Sequence, residues 1–325
     1  MILDYASLFG GLAILLVAGD ILVRGSVSMA QAFGIPTLII GLTIVAFGTS
    51  APELVISLRA ALEGSGGIAI GNVVGSNVAN VLLVLGVPSL IAATHCGEEG
   101  TRKSAVFMIA VTLVFILLCY FEPLGRAAGI ALLFLLVIFL GESVRTARRA
   151  RRAGRSQADL EEEFLGEVEG VPKEIWVATL FIFAGLIALP AGANFTIDGA
   201  VAIARSWHVS DAAIALTIIA LGTSLPELAT TVMSTVRGQT AVGVGNIIGS
   251  NIFNILAIMG TTAIVAPVSV PDEIMSFDIW AMLGASLLLL VFAAMSITLR
   301  RSSGIALVLA YAGYIALVFA LNRMV

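Results

Sequence analysis

The sequence predicts an all-α membrane protein: ten transmembrane helices as two inverted five-helix repeats with broken core helices. Three observations predict this. The 325 residues are 59% hydrophobic and 12% charged, with a mean hydropathy of +1.07, whereas a soluble domain is about half apolar and about a quarter charged. Ten stretches supply the roughly 20 apolar residues that a crossing needs. Two polar segments recur at a single offset of 174 residues.

The candidate crossings are 5–24, 36–62, 67–92, 104–121, 125–144, 174–204, 211–236, 241–266, 274–298 and 303–322. The first begins apolar, with Asp4 but no basic n-region or cleavage signal, so it reads as a retained helix and not a signal peptide. The second, third, seventh and eighth are crowded with Gly, Ser, Thr, Asn and Pro. The fourth, fifth, ninth and tenth are plainer and read as shielding helices. Between the halves, residues 145–172 open with Arg145, Arg148, Arg149, Arg151, Arg152 and Arg155 and then run acidic through Asp159, Glu161, Glu162 and Glu163. This stretch reads as a solvated juxtamembrane linker.

The chain therefore divides into a first repeat (1–144), a charged linker (145–172) and a second repeat (173–325). If the linker is cytoplasmic, Arg24, Arg102, Lys103, the six arginines, Lys173, Arg237, Arg300 and Arg301 share its side, 13 of the 17 basic residues. That bias fits the positive-inside rule and puts both termini outside a cell (plasma or inner) membrane. Asp20 lies one turn from Arg24 and reads as a solvated helix end. The net charge of −4 carries no basic tract with interleaved aromatics, so nucleic acid is not indicated. Cys96 and Cys119 have neither metal-ligand spacing nor a disulfide framework around them.

Residues 41–54 (GLTIVAFGTSAPEL) and 215–228 (ALTIIALGTSLPEL) are identical at ten of 14 positions. Residues 71–82 (GNVVGSNVANVL) and 245–256 (GNIIGSNIFNIL) are identical at seven of 12, at the same offset and without a gap. The chain reads as a duplicated five-helix unit. Five is odd, so the second copy enters the membrane from the opposite side. Inverted repeats of this kind recur in secondary transporters, whose sites lie at the bilayer midplane in discontinuous helices.

The repeated segments carry the chemistry. Pro52 lacks an N–H and disfavours helix at Ala51, so the second span should break between Gly48 and Glu53. Broken backbone within lipid is tolerated where it lines a site. Freed carbonyls around Ala46 to Thr49, the hydroxyls of Thr49 and Ser50 and the carboxylate of Glu53 form one oxygen-rich group. Ala220, Thr223, Ser224 and Glu227 repeat it. Ser50-x-x-Glu53 and Ser224-x-x-Glu227 also fit a capping box. A serine cap would not need a carboxylate, however, and a central acidic residue costs about 2.5–3.5 kcal/mol on insertion scales.

In the third and eighth spans Ser76 and Asn80, and Ser250 and Asn254, share a helix face at i, i+4. Gly71, Gly75, Gly245 and Gly249 read as packing positions. Asn77 and Asn251 are equally readable as backbone partners or as ligands. Two carboxylates, carboxamides, hydroxyls and carbonyls, with no His or Cys, make a hard-cation site. One Ca2+ neutralises two glutamates, and small ions such as Na+ suit the same oxygens.

At these motifs the chain resembles the cation/Ca2+ exchanger superfamily, in particular its prokaryotic Na+/Ca2+ exchangers, over the whole ten-helix pattern. The resemblance implies a Ca2+ site at Glu53 and Glu227 with main-chain oxygens of Thr49 and Thr223. It implies Na+ sites using Ala46, Ser50, Ser76, Ala220, Ser224 and Ser250, and sliding of the long first and sixth helices. It implies Ca2+ and Na+ as substrates, a lipid bilayer as surroundings, no cofactor and no obligate protein partner. Many relatives carry Asp where this chain has Asn80 and Asn254. In the K+-dependent branch an aspartate there is tied to K+ use, so K+-independence is expected.

H+/Ca2+ exchange is the nearest alternative, but relatives of that type carry a glutamate at the positions of Gly75 and Gly249. A cation channel is a further alternative. An enzyme is not indicated, because Ser50 and Ser224 have no His or Lys base nearby in the sequence.

Overall fold

The computed structural model describes residues 2–121, 123–152, 170–207 and 220–322. Its helices are α1 (Ile2–Phe33), α2 (Thr37–Thr49), α3 (Ala51–Leu62), α4 (Gly66–Ile91), α5 (Thr101–Cys119), α6 (Arg126–Arg152), α7 (Ile175–Ser206), the short α8 (Ala220–Gly222), α9 (Leu225–Val236), α10 (Thr240–Val265), α11 (Ile274–Ala294) and α12 (Arg301–Asn322). Eight are long and apolar enough to span a bilayer, and α2 with α3, bent by 44°, brings the number to nine among the described residues. The first part of the expected crossing 211–236 lies outside them. So does the linker from 153 to 169, with Arg155 and its acidic run.

Helices α1 and α7 are 32 residues each, about 48 Å at 1.5 Å per residue, against a hydrocarbon core of about 30 Å. They pack along their length through small residues seven apart: Gly11, Ala18 and Gly25 on α1, and Gly185, Gly192 and Gly199 on α7. A Cβ on Gly11 would sit 2.5 Å from Thr196 N, one on Gly25 2.8 Å from Ala178 O, and one on Gly199 2.5 Å from Leu8 N. The contacts therefore run antiparallel, and the backbones approach as small-residue interfaces allow.

The core is built on α4 and α10, 78% and 83% buried in their most apolar windows. The same measure is 39% for α5, 22% for α6, 33% for α11 and 17% for α12. These are the helices read from sequence as shields, and their exposed apolar faces suit lipid. Two short backbone ladders tie the loops. Strand β1 (Thr94–His95) pairs antiparallel with β2 (Thr298–Leu299), and Leu124 bridges Val268. The offset of 174 carries Thr94 to Val268 and Leu124 to Thr298, so each ladder is nearly the other's image.

Two sequence expectations change. Helix α6 runs past 144, so Arg145, Arg148, Arg149, Arg151 and Arg152 ride on a helix and not in a loop. Alanine and arginine are good helix formers, and cations favour a helix C-terminus. Lys103 reaches Glu142 at 2.5 Å beside this end. Helix α1 likewise extends to Phe33, which makes Asp20 an interior residue. Asp20 is buried, ion-paired with Arg24 and with Arg237 Nε at 2.6 Å, and so ties α1 to the end of α9.

Candidate ion-binding site

The break forms where Pro52 requires it. Ser50 leaves helical geometry at φ −84°, ψ 5°, and α3 starts with proline in its first turn. Ser224 repeats this at φ −88°, ψ 5° before Pro226. Neither serine makes the side-chain cap bond that the capping-box spacing predicts. The proline removes one N–H that a cap would bind. Ser50 is thus released to donate from Oγ to Glu227 Oε1 at 3.1 Å, across the two halves.

Glu53 and Glu227 are each 1% exposed, and the Ser50 hydroxyl, three residues before Glu53, bonds the Glu227 carboxylate. Neither has a basic partner among the described residues. A buried charge is normally paired or bound to a metal ion. Thr49 Oγ1 lies 3.4 Å from Ala46 O and 3.2 Å from Asn246 Oδ1. Ala46, Ser76 and Ser250 are buried around this centre. Thr223 is buried and lines a crevice together with Ser76. Ala220 begins α8, with its side chain outside the described set.

The asparagines divide by role. Asn77 Nδ2 donates to Asn251 O at 3.3 Å, and Asn251 Nδ2 donates back to Asn77 O at 3.4 Å. Asn80 Nδ2 reaches Asn251 Oδ1 at 3.0 Å, and Asn254 Nδ2 reaches Asn77 Oδ1 at 2.9 Å. Asn77 and Asn251 therefore lock α4 to α10. Asn80 and Asn254 use their amides in that lock and keep their carbonyl oxygens for another partner. Each segment has a π-turn there, Asn80–Val84 and Asn254–Met259, a distortion common at functional sites.

Six buried oxygens of the predicted set lack a hydrogen-bond partner: Glu53 Oε2, Glu227 Oε2, Ser224 Oγ, Ser250 Oγ, Asn80 Oδ1 and Asn254 Oδ1. Native proteins leave few such groups, and an ion is one explanation for them. The donor set is all oxygen, and among the described residues no group of three or more His, Cys, Asp or Glu offers another metal centre.

Sequence reasoning missed two residues. Asn72 Nδ2 holds Ser57 Oγ at 2.9 Å and Glu53 O at 3.3 Å. Asn246 holds Thr231 Oγ1 at 3.4 Å and contacts Thr49. Both are the asparagine of the repeated Gly-Asn pair, so their identity at the common offset was the available signal.

Comparison with known proteins identifies the family. The chain is 38% identical over 291 residues to the inner membrane protein YrbG of Escherichia coli, covering 89% of this chain and 88% of that protein. It is 29% identical over 351 residues to the sodium/calcium exchanger MaX1 of Methanosarcina acetivorans, covering 97% and 98%. The solved structure of the sodium-calcium exchanger NCX_Mj, soaked with zero Na+ and Ca2+, superposes with a TM-score of 0.81 at 28% identity over 97% of this chain and 98% of that one. A family model described as Sodium/calcium exchanger protein matches residues 4–144 and 177–320. This multi-pass membrane protein belongs to the sodium/calcium exchanger family of antiporters.

Proposed function

We propose that this chain exchanges Na+ for Ca2+ across a cell membrane, without needing K+, by alternating access to the Glu53–Glu227 site. The observation that carries this reading is the buried, unpaired carboxylate pair, surrounded by partnerless oxygens from both halves. Bound Ca2+ would cancel the two negative charges. It accepts six to eight oxygens in flexible geometry, whereas Mg2+ holds its waters and demands an octahedron. Several Na+ ions would share the same oxygens, from Ala46, Thr49, Ser50 and Ser76 on one half and Ala220, Thr223, Ser224 and Ser250 on the other. Asn80 and Asn254 add neutral carbonyls, so the core holds two formal charges, which favours K+-independence.

The full design is ten crossings in two inverted repeats, 1–144 and 173–325, joined by a cytoplasmic linker at 145–172, with both termini outside. The antiparallel contact of α1 with α7 and the mirrored loop ladders support inversion. Protonation is the other way to neutralise two buried carboxylates, and H+/Ca2+ exchange is the alternative that it supports.

Purified protein in proteoliposomes separates the two. An outward Na+ gradient drives 45Ca2+ uptake, K+ leaves the rate unchanged, and a pH gradient alone drives none. Glu53→Gln and Glu227→Gln each reduce uptake to background in protein that still inserts and elutes as a single species. Uptake driven by pH, or a K+ requirement, would refute the corresponding part of the reading. Wild-type rates in either glutamine variant would refute the site.

A further inference from the structure

Two crevices enter the helix bundle, and the 174-residue offset relates them. One, of about 860 Å³, is lined by Gly100, Ser104, Val137 and Gly141. The other, of about 370 Å³, is lined by Ile274, Asp278, Tyr311 and Ile315 at the corresponding positions. The smaller crevice also contains Ser76, Thr223 and Asn72, the last of which holds Glu53 O. None of the described residues lining the larger one belongs to the candidate site. In the orientation proposed above, the smaller crevice is the outer route to the paired glutamates.

Asp278 is the one charged side chain among the described residues lining the smaller crevice, whereas the larger one carries Glu98, Glu99, Glu142, Lys103, Arg145 and Arg149 and has Ser104 at the position that corresponds to Asp278. Ser104 returns its hydroxyl to Gly100 O at 3.1 Å in the first turn of an ordinary helix. Asp278 instead closes a π-turn, Ile274–Asp278. It is half-buried one turn inside α11, and its Oδ1 accepts from Tyr314 Oη at 2.8 Å. No basic side chain among the described residues pairs with it. A carboxylate costs free energy within a membrane and is seldom kept there without a function. A negative group in a low-dielectric cleft raises the local concentration of the cations that the cleft serves.

We propose that Asp278 is a cation-capture site on the outer route: it draws Ca2+, and more weakly Na+, into the crevice before transfer to Glu53 and Glu227. This rests on the exchange reading above. Asp278 lines the outer crevice and not the larger one, so the capture it provides acts from the outer side. The competing role is a purely structural tie between α11 and α12 through Tyr314, which Tyr314→Phe breaks while keeping the charge.

The test is 45Ca2+ flux at varied Ca2+ on each side of oriented vesicles. Asp278→Asn raises the outer KM for Ca2+ by on the order of tenfold, within the range that field focusing gives. Because the attraction scales with ionic charge, the outer KM for Na+ rises by about threefold. The inner KM holds, and the outer shift shrinks at high ionic strength. Asp278→Ser, which installs the residue of the related crevice, gives the same shift, and Asp278→Glu restores the wild-type value. Tyr314→Phe stays within about twofold of wild type. An unchanged outer KM, an equal rise on both sides, or a Tyr314→Phe variant that matches Asp278→Asn would each overturn the proposal. Glu53→Gln run alongside reports on the central site: transport by that variant refutes the glutamate site itself, while the sidedness of Asp278→Asn still decides capture.

Discussion

At the scale of single residues, the candidate site separates side chains that hold helices together from those whose buried oxygens have no hydrogen-bond partner. Asn77 spends its whole carboxamide on the second half, through Asn251 O and Asn254 Nδ2. Asn80 spends only its amide. Asn77→Ala therefore strands the buried Asn254 amide and removes one of the bonds to Asn251 O, and should cost about 1–3 kcal/mol of stability. Thermal unfolding in detergent measures that loss, while the preference for Ca2+ over other divalent ions is retained. A variant of unchanged stability with altered selectivity would make Asn77 a ligand. Serine at 50 and 224 teaches a related point. Its spacing fits a cap, but the proline beside it removes a donor that a cap would use, and the Ser50 hydroxyl turns to the opposite carboxylate.

At the scale of elements, close packing of helices sets where the candidate site residues sit. Gly245 and Gly249 on α10 meet the backbone of α2: added Cβ atoms would lie 2.7 Å from Leu38 O and 2.6 Å from Leu42 O. The residues that the offset would place against Gly71 and Gly75, 212 and 216, lie outside the described set. Helix α2 carries Ala46 and Thr49 and leads into Ser50, so Gly249→Val should push them off the centre. A misplacement of about 1 Å can cost on the order of 10²-fold in a positioned site. A loss of that order in Ca2+ uptake, measured against Gly313→Val on α12, checks this. No described atom lies within 4 Å of a Cβ at Gly313, so that variant should transport near the wild-type rate.

At the scale of the whole molecule, the distribution of basic residues predicts which ends of the helices face the cytoplasm. Both native cysteines are buried, and burial pushes the Cys96 thiol up to about 12, which leaves almost no thiolate at neutral pH. An introduced cysteine can therefore be read over a quiet background. Ser269→Cys, in the loop before α11, should react with an impermeant maleimide in intact cells. Ser302→Cys, at the start of α12, should react only after permeabilisation. The reverse pattern would invert the topology and with it the outer assignment of the Asp278 crevice.

Much of this protein was legible in the sequence alone. Membrane class, the repeated segments at one offset and the break before Pro52 and Pro226 follow from composition, periodicity and local residue pattern, which also singled out the two glutamates that prove to be buried. Those signals are local, or compare the chain with itself, and need no knowledge of which surfaces meet. The tertiary structure decided the rest. It assigned Asn77 and Asn251 to the lock, drew in Asn72 and Asn246, moved Asp20 from a solvated helix end into a buried ion pair, and set Asp278 on a crevice wall. Each of those outcomes depends on a partner far away in the chain or on a cavity between helices. A hydrogen bond or a cavity wall is a property of two surfaces in contact, and spacing along one strand of sequence does not encode which second surface arrives.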